Sequence, residues 1–105
     1  SMEVEGIVNQ HPSVLESAAF PVWADESEQE VMITVTLIPG CSLQPEYLIY
    51  FLNERMPYFM VPRYVDIVDE IIKTPTGKMR KNKLRERGLT TTTWDRVAAG
   101  IKLTR

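Results

Sequence analysis

The sequence predicts an α+β domain, a small and mainly antiparallel three-stranded sheet covered by helices. Three observations carry this expectation. Residues 31–38 alternate in polarity, with Val31, Ile33, Val35 and Leu37 on one face and Met32, Thr34 and Thr36 on the other, which is the period of a strand. Residues 45–56 put Leu48, Phe51, Leu52 and Met56 on one helical stripe. Turn residues stand at the joins, at Pro39-Gly40, Pro57 and Gly88.

Taken in order, residues 3–11 read as a short helix through Val4, Ile7 and Val8, with His11 at its end and Pro12 stopping it. Residues 14–24 hold the apolar stretch Ala18-Ala19-Phe20-Pro21-Val22-Trp23 and read as a strand made irregular by Pro21. An acidic loop runs from Asp25 to Glu30, and the 31–38 strand follows it, so an antiparallel hairpin is expected. The helix at 45–56 begins well, with Pro45 suited to a first helical position and Glu46 to the positive end of the dipole. A third strand is expected over 61–68, with Val61, Val65 and Ile67 on one face. The turn Thr74-Pro75-Thr76-Gly77 then leads to a basic helix at about 80–87 closed by Gly88. From Leu89 onward four threonines precede Trp94 and a small apolar stretch.

A chain of 105 residues suits one domain. With 44% hydrophobic and 25% charged residues it has the make-up of a folded globule rather than a disordered segment. It contains no apolar run near the roughly 20 residues needed to span a bilayer, and no basic-then-apolar leader at its start. Cys41 is a lone cysteine and forms no internal disulfide, so a reducing, cytoplasmic setting is expected. It sits in a turn without a base nearby in sequence and reads as an incidental thiol. His11 is the single histidine, with no second ligand close to it, so no metal site is expected.

The charge is divided along the chain. Up to Ile72 there are twelve acids and two bases, and from Lys73 onward ten bases and two acids. The densest basic stretch holds Lys78, Arg80, Lys81, Lys83, Arg85 and Arg87. Such a block either forms a solvated helix face or meets an anionic partner. It carries no interleaved aromatics on which bases would stack, which speaks against nucleic acid.

Lys73-Thr74-Pro75-Thr76-Gly77-Lys78-Met79-Arg80-Lys81 is the segment most suited to chemistry. Pro75 stiffens a tight turn, Gly77 permits backbone angles that other residues resist, and Lys78 stands at the tip. A lysine held this way brings a compact positive charge to an oxyanion or a phosphate. The segment is not a phosphate-binding P-loop, because Ile72 stands where that motif needs its first glycine and Met79 follows the lysine where it needs Ser or Thr. Spacing alone leaves both a functional lysine and an ordinary basic turn open.

The segment resembles the closing motif of the adenylate-forming enzymes, Pro-x-x-x-x-Gly-Lys followed by basic residues. Three further stretches resemble that superfamily in the same order. They are His11-Pro12-Ser13-Val14 with Glu16-Ser17-Ala18-Ala19, then Val35-Thr36-Leu37-Ile38-Pro39-Gly40, then Arg55-Met56-Pro57-Tyr58-Phe59-Met60-Val61-Pro62-Arg63-Tyr64. The likeness runs over residues 3–88 and departs at Ile71-Ile72, where many members carry Leu-Pro. It implies the C-terminal domain of an acyl-CoA synthetase, with residues 1–88 as the lid and 89–105 as its tail. Such an enzyme joins a small carboxylic acid to ATP, with Mg2+, as an acyl-adenylate, and then passes the acyl group to CoA.

By the same resemblance Lys78 is the catalytic lysine, and Gly77, Arg80 and Lys81 attend the nucleotide or CoA phosphates. The phosphate loop, the acyl pocket and the hinge belong to an N-terminal adenylation domain expected upstream on the same chain. Two other readings are a stand-alone α+β module whose basic helix docks on an anionic partner, and a lid serving a carrier-protein thiol. The resemblance implies neither a nucleic-acid partner nor a membrane span.

Overall fold

In the computed structural model, which describes residues 2–25 and 28–103, β1 (Val14–Trp23) and β2 (Gln29–Leu37) pair antiparallel as the sequence predicts. Ala19 faces Ile33 and Phe20 faces Met32 across the ladder. Within the expected acidic loop, Glu26 and Ser27 lie outside the described residues. Ahead of the hairpin, α1 (Met2–Val8) is shorter than the predicted helix. Its last turn tightens, with the His11 N–H donating to the Val8 carbonyl at 3.1 Å. The Nδ1 of His11 then accepts the Ser13 N–H at 3.0 Å, so the imidazole turns the chain into β1.

From β2 the chain leaves through Gly40, whose φ is +86°, into α2 (Pro45–Asn53). Glu54 caps α2 at its C-terminus, three residues ahead of Pro57, which sets the helix end short of the predicted Met56. A 3-10 turn at Tyr58–Met60 follows, and then β3 (Tyr64–Ile67). β3 is shorter than the predicted 61–68, because Val61 and Pro62 still belong to the way out of the 3-10 turn.

The sheet is mainly antiparallel, as expected, and corrects the sequence expectation in its strand number. It has four strands in the order β1-β2-β3-β4, and β2 and β3 run parallel, with Met32 beside Tyr64 and Ile33 beside Val65. A strand, a helix and a second strand in one sheet make a crossover, and a crossover returns the chain in its original direction. The fourth strand, β4 (Trp94–Asp95), lies antiparallel to β3. Between them, α3 (Lys81–Arg87) ends at Gly88, which has φ +58°. The α+β class holds with this mixed sheet.

Both faces of the sheet are covered. On one face Val4 and Val8 of α1 and Leu48, Ile49 and Leu52 of α2 pack with Ala19, Ile33, Val35 and Val65. On the other, Leu84 of α3 and Ile71 pack with Ala18, Phe20, Val22, Met32 and Tyr64. The segment after α3 is tied down by a forked ion pair, in which Arg63 Nε and Nη2 donate to the two carboxylate oxygens of Asp95 at 3.0 and 3.2 Å. Thr93 Oγ1 donates to the buried Asp66 carboxylate at 3.2 Å. No helix among the described residues is long and apolar enough to cross a membrane.

Two outcomes follow from this packing. Leu48 is fully buried, so Leu48→Ala should lower the unfolding free energy of the chain by about 2–5 kcal/mol in urea denaturation, and a loss under about 1 kcal/mol would contradict the packing described. The Asp95 carboxyl is held below its ordinary value, chiefly by the hydrogen bond from Arg63. Its stabilising share is therefore complete above the ordinary carboxylate range, near pH 4, and is lost as pH falls through the depressed native value. Stability followed from pH 6 down to pH 2 should fall less steeply in Asp95→Asn than in the parent chain.

Candidate functional site

Lys78 stands at the end of a small hairpin between β3 and α3. Its legs meet at an antiparallel bridge between Lys73 and Met79. The Gly77 N–H donates to the Thr74 carbonyl at 2.9 Å, which closes the tight turn, and the Thr74 N–H donates to the Lys78 carbonyl at 2.7 Å, which closes the hairpin. The Thr74 hydroxyl adds a bond of its own by accepting the Lys78 N–H at 3.2 Å. Pro75 fits the second position of this turn, where its fixed φ costs nothing. Gly77 has φ +89°, the left-handed residue that a three-residue hairpin loop needs after its turn.

Side chains alternate along the second leg. Met79 turns inward and packs against the core beneath α3, while Lys78 and Arg80 are exposed on either side of it. Neither Lys78 nor Arg80 enters an ion pair among the described residues, so both cations are free for an anion from outside. The Arg80 N–H donates to the Ile72 carbonyl at 2.8 Å and so closes the base of the hairpin.

Lys81 is placed differently from its neighbours. Its ammonium lies 2.6 Å from a carboxylate oxygen of Glu5 on α1. The same oxygen accepts the backbone N–H of Ala19 at 2.7 Å. On the other leg, Lys73 pairs with Glu16 of β1. Gly77 and Lys78 thus stand at the exposed tip and Arg80 is exposed at the base, whereas Lys81, next to Arg80, is engaged by Glu5. Glu5 and Glu16 were not legible as members of this site, since both are distant in sequence from the residues they hold; the division of charge along the chain is their one trace.

The remaining candidates lie elsewhere. Cys41 is a free, exposed thiol in the turn after β2. The His11 ring packs edge-on against Phe51, with centroids 4.8 Å apart, and burial holds its pKa below the ordinary histidine value, with Arg55 adding to the effect. Among the described residues no three His, Cys, Asp or Glu side chains gather as metal ligands would. Nothing here is therefore assigned to Mg2+, while Lys78 and Arg80, without an ion pair among the described residues, suit the oxygens of a phosphate.

Comparison with known proteins gives the hairpin a context. Residues 3–78 match the family model described as the AMP-binding enzyme C-terminal domain, a match that ends on Lys78. The chain is 34% identical over 85 residues to an oxalate–CoA ligase of Saccharomyces cerevisiae, covering 81% of this chain and 16% of that protein. Among solved structures it is similar to the amide bond synthetase McbA from Marinactinospora thermotolerans, at 32% identity and a TM-score of 0.76 over 83% of this chain and 18% of that one. It is also similar to ATP-bound MatB from Rhodopseudomonas palustris, at 27% identity and a TM-score of 0.77 over 82% of this chain and 17% of that one. The chain thus spans about a sixth of the length of the curated relative it matches.

The turn can be tested without any assay of function. A Cβ on Gly77 would meet nothing within 4 Å, so substitution there acts through the backbone alone. Gly77→Val should cost about 1–2 kcal/mol of local stability and raise amide exchange at Thr74 and Lys78 by roughly 5- to 30-fold, while Gly77→Asn, which tolerates a left-handed φ, should change it little. Equal protection in the valine and parent chains, read by NMR, would remove the argument for strain.

Proposed function

The chain belongs to the AMP-binding enzyme C-terminal domain family, and from that membership we propose that it works as the mobile C-terminal domain of a longer acyl-CoA synthetase, with Lys78 as the catalytic lysine. The observation that carries the reading is the tip of the hairpin, where an exposed ammonium without a carboxylate partner is presented by a fully bonded turn. The CoA ligase among its relatives supports an acid–thiol ligase, and the ATP-bound structural neighbour supports ATP as a substrate.

The chemistry asks for such a group. In the first half-reaction a carboxylate must attack the α-phosphate of ATP, and pyrophosphate leaves. Two anions approach one another, and an ammonium between them lowers their repulsion and fixes the line of attack. Lys78 supplies that charge, and Gly77 sets the turn from which it reaches. Arg80, also without an ion pair among the described residues, meets the phosphates of ATP or CoA. Lys81 reaches those phosphates only by leaving Glu5. In the second half-reaction a thiol displaces AMP, and a lid that has turned takes Lys78 away from the reacting carbon. The acyl pocket, the phosphate loop and the coordination of Mg2+ fall to an N-terminal adenylation domain of the same enzyme.

A second reading concerns the acceptor. The structural likeness to an amide bond synthetase favours a domain that serves adenylation generally, with CoA, a carrier-protein thiol or another nucleophile chosen elsewhere in the enzyme.

The test separates the two half-reactions in the full-length enzyme. Lys78→Ala should lower carboxylate-dependent pyrophosphate exchange by about 10²–10³, the usual cost of one preorganised donor. Thioester formation from supplied acyl-adenylate should remain within a few-fold of wild type on the same preparation. An equal fall in both, in a variant of unchanged stability, would take the assigned role away from Lys78.

A further inference from the structure

Glu5 occupies a singular place in the fold. β1 is an edge strand among the described residues, and the Ala19 N–H points out of the ladder toward Glu5. The Glu5 side chain, only 16% exposed, fills that position and accepts this N–H at 2.7 Å. Around the same edge, from the opposite face of the sheet, comes Lys81, 2.6 Å from the same oxygen. α1 packs on one face and α3 on the other, so this is the ion pair, among the described residues, that joins the helices of the two faces. A carboxylate with two donors, most of it out of water, holds its geometry better than the ordinary surface pair.

Lys81 is the first residue of α3 and follows Lys78 by one turn of chain. Leu84, buried in the core, pins the middle of α3, and Glu5 pins its start. The other leg of the hairpin is held by Glu16 through Lys73. Were Lys81 a phosphate ligand, its ammonium would be expected at the surface without a carboxylate partner, as the Lys78 ammonium and the Arg80 guanidinium are among the described residues, and it is not.

We propose that Glu5 is a positioning residue for Lys78, fixing the lysine hairpin by its hold on Lys81 and so setting where the catalytic ammonium stands during adenylation. The proposal rests on the reading of Lys78 given above. It acts through placement, and a displacement of about 1 Å at a reacting group is enough to cost on the order of 10²-fold in rate. Glu5→Gln keeps an oxygen for the Ala19 N–H and removes the charge that holds Lys81, so it disturbs the hold more than the fold.

The experiment compares Glu5→Gln, Lys81→Met, the double variant, Lys81→Arg and Lys78→Ala in the full-length enzyme. Each is assayed for pyrophosphate exchange, for thioester formation from supplied acyl-adenylate and for thermal stability. Glu5→Gln and Lys81→Met should each lower kcat for pyrophosphate exchange roughly tenfold, with the KM for ATP and the second half-reaction unchanged. The double variant should be no slower than either single one, because both break the same hold. Lys81→Arg should keep most of the rate. A raised KM for ATP in Lys81→Met, with Glu5→Gln unaffected, would make Lys81 a phosphate ligand and overturn the proposal. Equal loss in both half-reactions would make Glu5 merely structural and overturn it too. If Lys78→Ala loses pyrophosphate exchange while Glu5→Gln does not, the positioning role alone falls; if Lys78→Ala keeps it, the reading of Lys78 falls first.

Discussion

The burial of β2 on both faces is the constraint on which the rest of the structure depends. Ile33 and Val35 point into one core and Met32 into the other, and none of the three keeps more than a trace of exposure. A strand of this kind needs cover on both sides. α1 and α2 supply it on one side. The second side is left to whatever comes after β3, and that is Ile71, Met79 and Leu84. The lysine hairpin lies between the first and last of these anchors, so its position follows from the need to close the second core. Lys78 is exposed because its neighbour Met79 is drawn inward.

The electrostatics follow the same division. Carboxylates from the acidic first part of the chain reach bases in the second: Glu5 takes Lys81 and Glu16 takes Lys73. Glu30 lies 3.6 Å from Arg63, which also grips Asp95 and so carries β4. Among the described residues these pairings engage Lys73 and Lys81 at the foot of the hairpin and leave Arg80 there, and Lys78 at the tip, without an ion-pair partner. The asymmetry read along the sequence thus becomes, in the fold, a neutralised base and a charged end. Among the described residues no carboxylate forms an ion pair with Lys78 or Arg80, so an anion approaching this surface meets both cations.

Local features were legible in the sequence and long-range ones were not. β1, β2, α2, the turn at Thr74–Gly77 and α3 each announce themselves through a period or a turn residue within about ten positions. The turn that carries Lys78 was legible for the same reason, since Pro75 and Gly77 describe it, whereas a role for the lysine came only from the family resemblance. The parallel pairing of β3 with β2 follows from the strand–helix–strand order but shows in no local period. β4 spans only Trp94 and Asp95, too few residues to show a period, and it exists through the Arg63 fork across 32 positions of sequence. The hold of Glu16 on Lys73 spans 57 positions, and a surface glutamate gives no sign of its partner.

Rigidity within this domain and mobility of the domain are compatible, and the proposed chemistry needs both. A lysine side chain is long and loses much rotamer freedom when it is fixed. Locking the ammonium itself to a carboxylate would spend its charge before the substrate arrived. The structure fixes the backbone instead. Thr74 takes the Lys78 N–H, Gly77 sets the bend, and ion pairs hold both legs of the hairpin. Among the described residues the ammonium is left without an ion pair at the end of a well-defined stem. In the proposed mechanism, rotation of the whole lid would move the stem as one piece, and the charge would arrive or depart without any rebuilding of the turn that carries it.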